Sequence, residues 1–225
     1  MNTTLLMPEQ LQSHLPDASI KQTVNSMIDD LMTSLPDSKQ LTGEERRGII
    51  ARYTAVLEGN FIYWMTATLL AVQSKDARPI LQDNLHEEVR DAHPEMLRRF
   101  AIAAHAFPKD SDALAINEGL KNVRLFFGRL SGVQSVLTMA LFEGFIQKFM
   151  TYLADLAKAQ GSVDMEYTDV HGVCDIEHTD GLFRALSIEM AVNPLEPQND
   201  LFEGAYLLRT LIETIVFDRV KAVAA

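Results

Sequence analysis

The 225-residue chain contains a single cysteine, Cys174. A disulfide framework is thereby excluded, as is a zinc or iron–sulfur site assembled from several cysteines. Basic residues are also scarce: 20 Lys and Arg stand against 31 Asp and Glu, a formal net charge of −11. Nucleic acid and anionic membranes call for a basic face, so neither is expected as a partner. No apolar run reaches the roughly 18 residues that a membrane helix needs. The N-terminus, MNTTLLMPEQ, carries no basic stretch ahead of its short apolar pair. These absences predict a cytoplasmic location. Alternating strands of useful length and glycine-rich phosphate loops are missing too.

What remains is helical almost throughout. Residues 18–34 place Ile20, Val24, Met27, Ile28, Leu31 and Met32 at spacings of three and four, an amphipathic stripe. Thr42 with Glu45 forms a capping box, and the pattern predicts one long helix from there to about Gln73, interrupted only by Gly59. Further helices are expected over 79–91, 94–106, 111–128, 131–159, 164–192 and 200–222, with Pro94 suited to a first turn. The prediction is a single all-α domain, 1–225, of seven to eight helices. The part expected to bind metal, on residues taken up next, spans about 50–190, and a C-terminal helix follows at about 200–222.

The informative segment is D169-V-H-G-V-C-D-I-E-H178. His171, Asp175 and His178 fall at i, i+4 and i+7, within about 20 to 40° of one another on a helix. Two imidazoles and a carboxylate on one stripe make a half-site for a divalent metal. Cys174 points about 100° away from Asp175 and reads as a small packed residue. Glu58, in AVLEGNFIYWM, and Glu143, in MALFEGFIQKFM, are carboxylates set in apolar surroundings. Burying either costs several kcal/mol unless it is paired or metal-bound. Arg52 or Arg129 would serve as a purely structural partner. Glu203 has a similar setting but no histidine helix behind it, and is left out.

Glu58 and His93 are separated by 35 residues, as are Glu143 and His178, and each glutamate precedes a glycine. That repeat suits a pseudo-two-fold helical fold with a metal site on its axis. Between the halves, N84-L-H-E-E-V-R-D-A-H93 offers Glu87 or Glu88 beside His93, with His86 as a lesser option. Four carboxylates and three histidines exceed the need of one structural zinc and match two carboxylate-bridged iron or manganese ions.

This ordered set resembles that of the heme-oxygenase-like di-iron oxidases over about residues 50–190. It comprises Glu58, N84-L-H-E-E…H93-P-E-M-L, F142-E-G and H171-x3-D175-x2-H178. The resemblance implies a heme-oxygenase-like bundle, shared with thiaminase-II-like proteins, that binds two Fe2+ and uses O2. The implied reactions on a small amino-acid-derived substrate are N-oxidation, C–C cleavage, decarboxylation or nitrile formation. The chain departs from many members in lacking a glycine-containing insertion between the Glu pair and His93, which leaves Glu87 and Glu88 both open as ligands.

Tyr63, Trp64, Phe142 and Phe145 are candidates for lining the substrate space, and Arg184 for meeting a substrate carboxylate. Homodimerisation is compatible with a domain of this kind. Three other readings compete with it. A ferritin-like di-iron protein fits the second half, but Arg90 stands where its first half needs a carboxylate. A heme oxygenase would need an axial histidine such as His14. A non-enzymatic acidic scaffold would bind no iron.

Overall fold

The computed structural model describes residues 17–217 and is helical without a strand among them. Nine helices follow in order: α1 (Asp17–Ser34), α2 (Gly43–Leu57), α3 (Phe61–Ala71), α4 (Arg78–Arg90), α5 (His93–Ala103), α6 (Asp110–Phe127), α7 (Gly132–Ala159), α8 (Glu166–Val192) and α9 (Glu203–Phe217). The all-α expectation is met. The one extra helix arises because the predicted 42–73 segment is divided at Gly59. That residue takes φ +78, a left-handed conformation glycine adopts without a Cβ clash. Asn60 secures the break: its Nδ2 donates to the Val56 carbonyl, and its Oδ1 accepts from Arg124 Nε. The Thr42–Glu45 capping box starts α2 as expected.

Helix α7 is apolar nearly all round, and every residue from Gly132 to Ile146 is buried. Such a helix must be enclosed by others, and α1, α2, α3, α5, α8 and α9 all pack on it. The buried apolar side chains form one connected cluster. Helix α8 lies along α7, and α4 and α5 pack on α8. Asp91 and Ala92 join α4 to α5, with Ala92 in the left-handed region (φ 55, ψ 41) and Pro94 in the first turn of α5. No helix among the described residues is long and apolar enough to cross a membrane. His14 and residues 218–222 of the expected last helix lie outside the described residues.

Candidate metal centre

Four helices, α4, α5, α7 and α8, supply the polar side chains of the cluster. Glu88 on α4, His93 on α5 and His171 on α8 form a first group. His93 Nδ1 is 2.9 Å from Glu88 Oε1, His171 Nε2 is 4.0 Å from the same oxygen, and the two imidazole rings stand 4.4 Å apart. A second group gathers around His178. Its Nε2 is 3.2 Å from Glu87 Oε2, and its Nδ1 is 3.6 Å from both Glu143 Oε2 and Asp175 Oδ1. The two groups are contiguous, since Asp175 also lines the cavity that Glu88, His93 and His171 line.

The neighbouring glutamates 87 and 88 therefore both reach the cluster, one toward each group. His86 is exposed on the opposite face of α4. Continuing α4 through His93 would set that residue about 140° from Glu88. The turn at Ala92 brings the two together instead.

Glu88, His93, His171, Glu143 and Asp175 are between 1 and 4% exposed. So much buried polarity costs several kcal/mol unless something compensates it. Asn84 is one compensation: its Nδ2 donates to both oxygens of Glu143, at 2.9 and 3.1 Å. Arg129 instead pairs with Glu203, and Arg52 Nε donates to the Ile215 carbonyl. His171 Nδ1 lies 2.9 Å from the Tyr167 carbonyl, which can only accept. The proton therefore sits on Nδ1, and Nε2 keeps its lone pair for a ligand.

Other atoms are left without a hydrogen bond: His93 Nδ1, His178 Nδ1 and Asp175 Oδ2 are buried and unpartnered. His93 Nδ1 and His178 Nδ1 stand close to carboxylate oxygens yet lack hydrogen-bond alignment. Donors that crowd together without pointing at each other fit a common ion between them. The residues present thus fit a metal, with imidazole and carboxylate as a donor set suited to iron or manganese.

Charge in the metal-free cluster follows from the same contacts. Burial alone would strip His178 of its proton. Asp175, Glu143 and Glu87 overcome that and push its pKa up to about 10. His93 is raised as well, burial again losing to nearby Glu88, Asp175 and Asp91. Burial pushes the Glu143 carboxyl well above its ordinary range. Burial and Asp175 likewise raise the Cys174 thiol.

Other expected site residues stand elsewhere. Glu58 caps the C-terminus of α2, exposed and 3.8 Å from Arg98, because the helix ends there, ahead of the turn at Gly59, and leaves the side chain at the surface. Trp64, Phe142 and Phe145 are packed in the core; Trp64 stacks on Phe127 and meets Phe142 edge-on. Tyr63 faces outward beside α6, and Arg184 lines a surface groove against α1. The cavity at the first group is walled by Leu57, Phe61, Pro94, Leu97, Ile146 and Tyr167. Its solvent-sized space is about 20 Å³, room for one water.

Comparison of the chain with protein-family models and with curated protein sequences finds no match. The geometry alone carries the site.

Asn84 and Tyr167 have roles that sequence reasoning missed. Asn84 stands inside the quoted motif, three residues before Glu87, on the α4 face that also holds Glu88. Tyr167 lies four residues before His171, the spacing at which a helical carbonyl meets a side chain. Cys174 also differs from expectation, since its Sγ turns toward Asp175 Oδ1, at 3.3 Å.

Proposed function

We propose that the chain is a heme-oxygenase-like, non-heme di-iron oxidase or oxygenase. It would use O2 to oxidise a small amino-acid-derived substrate. The observation that carries this reading is the pair of contiguous buried donor groups with unpartnered ligand atoms. Glu88, His93 and His171 would hold one Fe2+, and Asp175, His178 Nδ1 and Glu143 the other, with Glu87 orienting His178 through its opposite nitrogen, Nε2. Iron bound there would supply O2 reduction and oxidation of the substrate.

The chain's own residues prepare that chemistry. Tyr167 fixes the tautomer of His171 through its carbonyl, and Asn84 orients Glu143 through both oxygens. Leu57, Phe61, Leu97 and Ile146 keep the first group dry and shape space for an apolar substrate body. With room for only one water, these walls must part for substrate to enter. No Lys or Arg lines this cavity, so a substrate carboxylate would be met by the metal side of the cavity rather than by Arg184.

Anaerobic loading with Fe2+ tests the reading. About two irons per chain are expected, as two ligand groups require, with O2 uptake then stimulated by one member of an amino-acid panel. His171→Ala should lose an iron and the O2 uptake. A folded wild-type protein that takes up no iron would overturn the reading.

A further inference from the structure

Cys174 contributes a donor to the second group that the iron reading leaves unused. Its Sγ is 3.3 Å from Asp175 Oδ1, and that same oxygen is 3.6 Å from His178 Nδ1. The ligand atoms of Cys174, Asp175 and His178 all lie within 4.8 Å of one another. A tetrahedral zinc with Zn–S of about 2.3 Å and Zn–N and Zn–O of about 2.0 Å has ligand–ligand edges of about 3.3 to 3.5 Å. Both measured contacts at Asp175 Oδ1 are within a few tenths of an ångström of that. Three protein donors with the fourth position left to solvent is an ordinary zinc arrangement.

In the metal-free protein the Cys174 thiol donates a hydrogen bond to Asp175 Oδ1, beside a buried His178 nitrogen that has no hydrogen-bond partner. Loss of the thiol proton frees both sulfur and carboxylate oxygen for an ion. Cys174 and His178 are also four residues apart, hence 40° apart on α8, so both can turn to one point.

We propose that Cys174, Asp175 and His178 bind Zn2+, leaving its fourth position to solvent, and that this zinc competes with iron for the second metal position. The thiolate is the discriminating ligand. Sulfur favours zinc over Fe2+, and the general order of divalent affinities runs the same way. On binding, the Cys174 thiol gives its proton to solvent as the S–Zn bond forms, with no change of oxidation state. A redox-inert ion then sits where the proposed function places iron. Cys174 thereby makes the centre sensitive to zinc. The proposal shares residues with the iron reading but does not rest on its chemistry.

Co2+ serves as the spectroscopic probe for zinc, added to the metal-free protein and to Cys174→Ser and Cys174→Ala. The wild type should show a near-ultraviolet thiolate-to-cobalt charge-transfer band that Zn2+ bleaches, and both variants should lack it. Zn2+ affinity, measured against a chromogenic chelator, should fall at least about tenfold in the variants. Circular dichroism identifies a variant that fails to fold, and the wild-type band decides the matter without it. Cobalt bound by the wild type with no thiolate band would overturn the proposal, as would equal Zn2+ affinity in wild type and folded variants. Fe2+ uptake separates the two readings. A thiolate band in a protein that takes up no iron keeps the zinc site and removes the oxidase. Two irons without the band do the reverse.

Discussion

Glu58-Gly59 and Glu143-Gly144 look alike in sequence and meet opposite fates. Each glutamate is flanked by apolar residues, precedes a glycine and stands 35 residues before a histidine. Glu143 lies in the middle of α7, 1% exposed and beside His178. Glu58 ends α2 at the surface, beside Arg98. The difference lies in what each glycine does. Gly144 stays helical and lets α1 come close, since a Cβ there would stand 2.9 Å from Ile28 Cδ1. Gly59 turns the chain with φ +78 and has open space around it. A carboxylate's apolar neighbours therefore do not decide its burial; the use made of the adjacent glycine does.

Removing the carboxylates one at a time tests this contrast most strongly. Glu143→Gln keeps the side-chain shape but loses the charge, and should reduce iron loading from about two to about one per chain. Glu58→Gln should leave loading unchanged. Equal losses would break the contrast, because Glu58 would then have to turn inward when metal binds.

The glycines should separate next. Gly144→Asn forces a polar amide into the α1 contact and should lower unfolding free energy by about 2 kcal/mol. Gly59→Asn, in a conformation that Asn tolerates, should stay within about 0.5 kcal/mol. Urea denaturation of the metal-free proteins reads both. Asn84→Ala releases Glu143 without touching Glu58, and should weaken the second metal position about tenfold in a chelator competition.

The last effect is one of pH. The folded-state pKa of His178, about 10, lies above the ordinary 6.5. The folded protein therefore holds the proton that the unfolded chain releases. The stability this contributes is complete below about pH 6.5 and is lost as pH rises toward about 10. Urea midpoints of the metal-free protein should fall across that window. The fall should be shallower in Glu143→Gln and unchanged in Glu58→Gln.

Helical periodicity made most of the fold legible, because a core-facing stripe repeats at 3.6 residues whatever its partner. It also placed His171, Asp175 and His178 on one face of α8, where they are found. Periodicity could not tell that Glu87 and Glu88 would divide between two groups, since that depends on where α5 returns after Ala92. Nor could it place the cavity wall. Phe61 lines it while its neighbours Tyr63 and Trp64 turn outward and into the core. The 100° offset between Cys174 and Asp175 concerns Cα positions; side-chain torsions then brought sulfur and carboxylate together.

The left-handed Ala92 has a further consequence, in the arithmetic of chain length. It closes a connection of two residues, Asp91 and Ala92, between the helix that carries both glutamates and the helix that His93 opens. That connection acts as a ruler. One residue more or fewer would wind His93 around its axis by about 100° while leaving every ligand in the chain. The loop between α8 and α9 has no such duty, and the same change there would shift no side chain of the cluster. A one-residue insertion is thus a sharper probe of the centre than a point substitution, because it alters the phase between ligands rather than their chemistry.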